Sequence, residues 1–164
     1  MLLGSADLYE WSKRQELIHV LGCDRIHDAI RLASIPRLVA VNSALSVDLF
    51  GQCNLETAGG RALSGAGGAP DFARAARLSP GGLSIVALPA TVARGKGSRI
   101  IASEGAGSLV TLPRTDVDVV VTEEGAADLR GLSVPQRAEA LIGIAPPHAR
   151  AELTDQWRET LGRL

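Results

Sequence analysis

No stretch of this 164-residue sequence approaches the roughly 18 consecutive apolar residues of a membrane-spanning helix, so no membrane span is expected. The start, Met1 to Trp11, has only Leu2 and Leu3 before Gly4 and polar residues, and so lacks the charged-then-apolar order of a secretory leader. Lysine and arginine never cluster into a basic run. With 17 basic and 18 acidic residues the net charge is −1, and nothing calls for nucleic acid or an acidic lipid surface. Cysteine is scarce: Cys23 and Cys53 stand alone without a CxxC pair, which favours reduced, buried thiols in a cytoplasmic protein over a disulfide or a metal site. His19, His27 and His148 share no metal-ligand spacing, and no Ser or Cys beside them completes a nucleophile pair, so neither a bound metal nor a catalytic histidine is expected. Internal repeats and low-complexity linkers are missing too.

What is present suits one domain. The length is ordinary for a single unit, and 46% hydrophobic residues can supply its core. Ser5 offers an N-cap to a short helix, residues 17–22 read as a strand, residues 27–37 as a helix stopped near Pro36, and residues 38–45 as a buried strand. Residues 46–56 read as a strand that bends or turns at Gly51. After a glycine-rich loop come a helix at 70–79, a strand at 83–90, a strand pair at 98–103 and 108–113, and the strongest buried-strand signal, 117–125. Ser133 caps a helix with Pro135 in its first turn, and Leu153, Trp157 and Leu161 recur at helical spacing in a last one. Alternating strands and helices predict an α/β fold, and the consecutive strands between about 83 and 121 predict a mixed sheet flanked by helices.

Three places can carry chemistry. In "LSGAGGAPDF" (63–72), Gly65, Gly67 and Gly68 precede a helix, so several main-chain N–H groups can converge on an anion or a carbonyl oxygen; a merely tight turn fits the same pattern. The loop is neither a Walker A nor a dinucleotide-binding GxGxxG. "VVVTEEG" places Glu123 and Glu124 at the end of a strand, where ligand crevices form in open α/β sheets, although a polar turn fits equally. Asn42 lies inside an apolar strand, where its amide needs a partner, either another side chain or a substrate. The basic loop "ARGKGSR" (93–99), with Lys96 at its centre, can meet phosphate or simply be solvated.

Taken together, residues 41–56, 59–82, 98–100 and 116–150 resemble, in order, the acetyl-CoA hydrolase/transferase family, and more narrowly the C-terminal domain of CoA-transferases of the 4-hydroxybutyrate and acetate type. The glycine segment followed by Asp71-Phe72 and the later V-T-E-x-G-x-A-D-L-R-G carry the resemblance most specifically. It implies a fold like that of ribose-5-phosphate isomerase and glucosamine-phosphate deaminase, with two similar α/β domains and the active site between them. It implies CoA thioester chemistry, with coenzyme A or acyl-CoA as substrate and a small carboxylic acid as partner. A glutamate carboxylate attacks the acyl-CoA, CoA thiolate turns the resulting anhydride into a glutamyl-CoA thioester, and a second acid collects the CoA; hydrolases use water instead.

The same resemblance implies that the nucleophilic glutamate precedes residue 1 and that residues 1–164 form a single C-terminal domain whose N-terminal domain, or an equivalent partner subunit, is not in this sequence. Glu56, Glu104, Glu123 and Glu124 do not match the nucleophile's position. Glu123 and Asn42 match auxiliary active-site residues, and residues 65–68, with Gly65, Gly67 and Gly68, resemble the loop that lies against the thioester end of CoA; Lys96, read from its basic loop, is expected to bind CoA as well. Departures from the family pattern fall at Glu124 and Pro70. The isolated chain is expected to fold without catalysing transfer, to expose an apolar docking face, and to cover that face by self-association as a homo-oligomer. The alternative from a different class is a freestanding, non-catalytic CoA-binding or interaction module.

Overall fold

The computed structural model describes residues 2, 4–92, 95, 97–105 and 108–163. Helices α1 (Ala6–Ser12), α2 (Cys23–Ile26) and α3 (Ala29–Ala33) lead into strand β1 (Val39–Ser43). The short strands β2 (Ser46–Asp48), β3 (Cys53–Asn54), β4 (Thr57–Ala58) and β5 (Arg61–Ala62) follow, then helix α4 (Ala69–Leu78) and strand β6 (Leu83–Ala87). Strands β7 (Ile100–Ile101), β8 (Val119–Thr122) and β9 (Gly125–Asp128) come next, and helices α5 (Val134–Gly143) and α6 (Arg150–Leu161) close the chain.

The main sheet has the order β1-β6-β8-β9. β1, β6 and β8 run parallel and β9 returns antiparallel, so the α/β fold with a mixed sheet and packed helices is the one the sequence predicts. Strand alternation separates its two faces. On one, Ala40, Ser84, Val86, Val120, Thr122 and Ala127 are buried; Val86 and Val120 join Leu129, Leu141, Leu153 and Trp157 in the core. On the other, Val39 and Val41 are 52% and 63% exposed, and their register partners Leu83 and Ile85 are only half-buried, like Val119 and Val121.

Local chemistry fixes the helices. The Ser133 N–H donates to Gln136 Oε1 at 2.9 Å in a reciprocal capping box that starts α5, with Pro135 in the first turn. Gly68 is the N-cap of α4, Pro70 lies in its first turn, and an alanine-rich face packs inward. Two ion pairs tie α4 to the residues entering β8: Arg74 to Asp116 at 3.0 Å and Arg77 to Asp118 at 2.9 Å. Buried Asp118 also accepts from the Ser84 N–H at 3.0 Å, so its charge is compensated from both sides.

Several expectations need correction. Residues 17–22 form no strand: Leu17 and Val20 are almost fully exposed, and a short apolar run without a neighbouring strand leaves its main-chain groups nothing to pair with. Segments 98–103 and 108–113 do not pair with each other; β7 runs parallel to β2, while Leu112 bridges Cys53. The strand expected over 117–125 ends at Thr122, where a two-residue loop reverses the chain into β9, a strand of small residues without a β pattern. Cys23 is exposed, whereas Cys53 is buried as expected. No described helix is long and apolar enough to cross a membrane.

Candidate functional site

The site begins at the end of β1. Asn42 pairs in register with Val86 of β6 and lies on the same side of the strand as Ala40. Its Nδ2 is buried with no hydrogen-bond partner among the described residues. An unmet buried amide donor costs about 1–3 kcal/mol, so it is a place where an incoming acceptor gains more than on the open surface.

The glycine loop faces the same space. A cavity of about 560 Å³ is lined by Val39, Ala40, Val41 and Asn42 from β1, by Gly67, Gly68, Ala69 and Phe72 from the loop and α4, and by His27. Among the described residues, none of the N–H groups of Gly65, Ala66, Gly67 and Gly68 donates to another protein group. A Cβ built on Gly65 or Gly67 meets nothing within 4 Å, so the main chain there is bare. Gly67 also has φ +55°, a conformation that favours glycine. At Gly68 the reason for glycine differs: a Cβ would lie 2.7 Å from His27 Cε1 and 2.9 Å from its Nε2.

Glu123 stands apart from this cavity. It follows β8, two strands from β1 and so about 10 Å across the sheet, at the C-terminal ends of the parallel strands. Its Oε2 accepts the Ala90 N–H at 2.7 Å. That bond, followed by its own N–H, holds the carboxyl below the usual range and keeps it anionic.

The turn that presents Glu123 is anchored on its other side. Thr122 Oγ1 donates to the Ile144 carbonyl at 2.8 Å and accepts the Glu124 N–H at 3.1 Å. Arg150 donates to the Ala145 carbonyl at 2.8 Å and reaches Glu124 Oε2 at 3.3 Å. The structure thus brings Asn42, Gly67 and Gly68 to one cavity, with Gly65 on the same loop and Glu123 outside it, at the end of a strand two away. Lys96 lies outside the described residues; Val92 and Ser98, on either side of it, line a second cavity of about 450 Å³ with Ser46, Asn54 and Glu104.

Sequence reasoning missed two side chains here. Arg150 carries no local motif, and its link to Glu124 spans 26 positions. His27 has no ligand spacing and reaches the cavity through the packing of α3 against α4, which sets its ring beside Gly68 and Phe72.

Comparisons with known proteins agree with this architecture. The acetyl-CoA hydrolase/transferase C-terminal domain family matches residues 4–157. The 4-hydroxybutyrate coenzyme A transferase of Clostridium kluyveri is 38% identical over 158 residues, which cover 96% of this chain and 37% of that protein. The butyryl-CoA:acetate CoA-transferase of Anaerostipes caccae is 40% identical over 153 residues, covering 92% of this chain and 34% of that protein. Among solved structures, RipA from Yersinia pestis superposes with a TM-score of 0.89 at 39% identity, over 96% of this chain and 36% of its own. The chain therefore spans little more than a third of the length of the relatives it matches.

Proposed function

Starting from the acetyl-CoA hydrolase/transferase C-terminal domain family, to which this chain belongs, we propose that it is the CoA-binding part of a CoA-transferase or acyl-CoA hydrolase acting on short-chain acyl-CoA thioesters. The observation that carries this reading is the meeting of Asn42's unpartnered amide with the bare main chain of Gly67 and Gly68 on one cavity. Donors so placed suit a thioester carbonyl: when the carbonyl is attacked, its oxygen becomes an anion, and each donor aimed at it is worth about 2.7–4 kcal/mol of barrier.

The nucleophile in this reading is a glutamate supplied by polypeptide outside these 164 residues. Its carboxylate attacks the thioester carbon and expels CoA thiolate, leaving an acyl-glutamyl anhydride. The thiolate then attacks the glutamyl carbonyl, which releases the first acid and leaves a glutamyl-CoA thioester. A second carboxylate takes the CoA by the same two steps reversed. Glu123, held as an anion by Ala90, lies at the same end of the sheet, two strands from the cavity's β1, and does not supply a proton.

The exposed face of β1 carrying Val39 and Val41 is, in this reading, where that outside polypeptide packs. A parallel sheet is ordinarily covered on both faces, and the matched relatives carry nearly two thirds of their length beyond the part aligned here. Calorimetric titration of the chain with acetyl-CoA tests the binding claim. Saturable binding that weakens about tenfold in Asn42→Ala supports it, and no binding by the wild type overturns it.

A further inference from the structure

The N-terminal end of β8 gathers arginines from three parts of the chain. Arg74 and Arg77 of α4 pair with Asp116 and Asp118, and Arg130, just after β9, pairs with Asp128. Arg114 and Arg137 form no ion pair among the described residues, and they are neighbours. Arg137 Nη1 donates to the Arg114 carbonyl at 3.1 Å, and a Cβ built on Gly51 would lie 3.4 Å from that nitrogen and 3.9 Å from Arg114 Cβ. Arg114 is exposed and Arg137 half-buried. The Arg137 bonds go to neutral carbonyls, those of Arg114 and Leu132. Burial, then the like charges of Arg114 and Arg77, push its guanidinium below the ordinary value, while Asp118 acts the other way. Five guanidinium groups thus meet three carboxylates here, and two positive charges are left unmatched.

We propose that Arg114 and Arg137, with Arg77 nearby, form a binding site for a phosphoryl dianion, carried by a phosphorylated nucleotide or by free phosphate. The site is separate from the cavity beside Asn42, with which it shares no residue, and it does not rest on the thioester reading. Glu123 lies five residues further along, about 16 Å up the strand. A phosphate ester carries close to two negative charges at neutral pH, so it matches the two unmatched guanidinium charges, where a carboxylate matches one. The planar fork of each arginine can hold two of its oxygens. A half-buried guanidinium whose strongest charged neighbours are of its own sign is costly alone, and a dianion between them reverses that cost. The frame is in place beforehand: the pairs from Arg74 and Arg77 fix α4 against the start of β8, and the capping box of Ser133 and Gln136 fixes the turn of α5 that carries Arg137.

The test follows the arginine Nε–Hε signals of the isotope-labelled chain by nuclear magnetic resonance while sodium phosphate replaces sodium chloride at constant ionic strength, which holds screening fixed. A parallel titration uses adenosine 5′-monophosphate. Arg114→Gln removes an exposed guanidinium and keeps the carbonyl that Arg137 uses, so the fold is retained; Arg31→Gln, exposed on α3, removes one positive charge elsewhere. The expected result is that phosphate shifts the Arg114 and Arg137 signals together and saturably, that Arg114→Gln weakens it about tenfold, and that Arg31→Gln changes it by less than about twofold. Tighter binding of the nucleotide, again lost in Arg114→Gln, identifies a phosphorylated nucleotide as the occupant, and equal or weaker binding identifies free phosphate. Shifts that do not saturate, or affinities that Arg114→Gln and Arg31→Gln reduce alike, would reveal a solvated charged face and overturn the proposal.

Discussion

The Ala90 N–H donates to Glu123 Oε2 at 2.7 Å, joining the segment after β6 to the turn after β8. The bond favours the charged carboxylate, so Glu123 titrates below an ordinary glutamate, whose value is about 4.3. A depressed folded-state value means that its contribution to stability is present above that ordinary value and is lost as the pH falls through the folded one. Side-chain carboxyl shifts followed through an acid titration check this: Glu123 is expected to be among the last glutamates to protonate. Titration at or above the ordinary value would show that the bond does not persist in solution.

Two glycines separate packing from ligand approach. A Cβ on Gly82 would sit 2.1 Å from the Ala76 carbonyl oxygen and 2.8 Å from that of Leu38, both backbone. Gly82→Ala is therefore expected to cost about 3 kcal/mol, the upper end for overpacking. Gly65 has open space around it and no positive φ, so Gly65→Ala should leave stability within about 0.5 kcal/mol of wild type. Urea unfolding of the two variants measures both numbers, and equal losses would contradict the packing described.

The two thiols are predicted to differ. Cys23 is exposed; Cys53 is fully buried, and burial, then Asp48 and Glu104, push its thiol well above the ordinary range. Only the thiolate reacts readily. Ellman's reagent should label one thiol per native chain and two after unfolding. Two reactive thiols in the native state would mean that the packing around β2 and β3 opens on the timescale of labelling.

How far the sequence could be read depended on whether a signal was local. β1, β6 and β8 announce themselves through apolar, β-branched runs, and α4 and α5 through their starts, because those cues lie within a few residues. β9 was hidden because Gly125-Ala126-Ala127-Asp128 has no strand preference and is a strand only through its pairing with β8. Residues 17–22 misled for the converse reason, being apolar with no partner. At the site, Asn42 and the glycine loop stood out as oddities of composition. Which space they share was not legible, since that depends on α4 packing against β1, and His27 was invisible without it.

Val39 and Val41 give the account a consequence in solution. With nothing else to cover them, copies of the isolated chain should associate through this face as concentration rises. Sedimentation velocity at high micromolar concentration should show it, and Val39→Lys with Val41→Lys should abolish it with little change in the unfolding midpoint, since both side chains are exposed. A wild-type chain that stays monomeric throughout would show that the face needs no cover.

The central claim is that these residues hold a CoA thioester but lack the nucleophile that opens it. The most direct measurement incubates the purified chain with acetyl-CoA and butyrate and follows thioester exchange, for wild type and for Glu123→Gln. Losing the attacking carboxylate and its positioning forfeits roughly 7–11 kcal/mol of barrier lowering, so the account predicts binding without exchange above the uncatalysed background in either protein. Turnover at an ordinary enzymatic rate, abolished by Glu123→Gln, would place the nucleophile inside this chain and contradict the account.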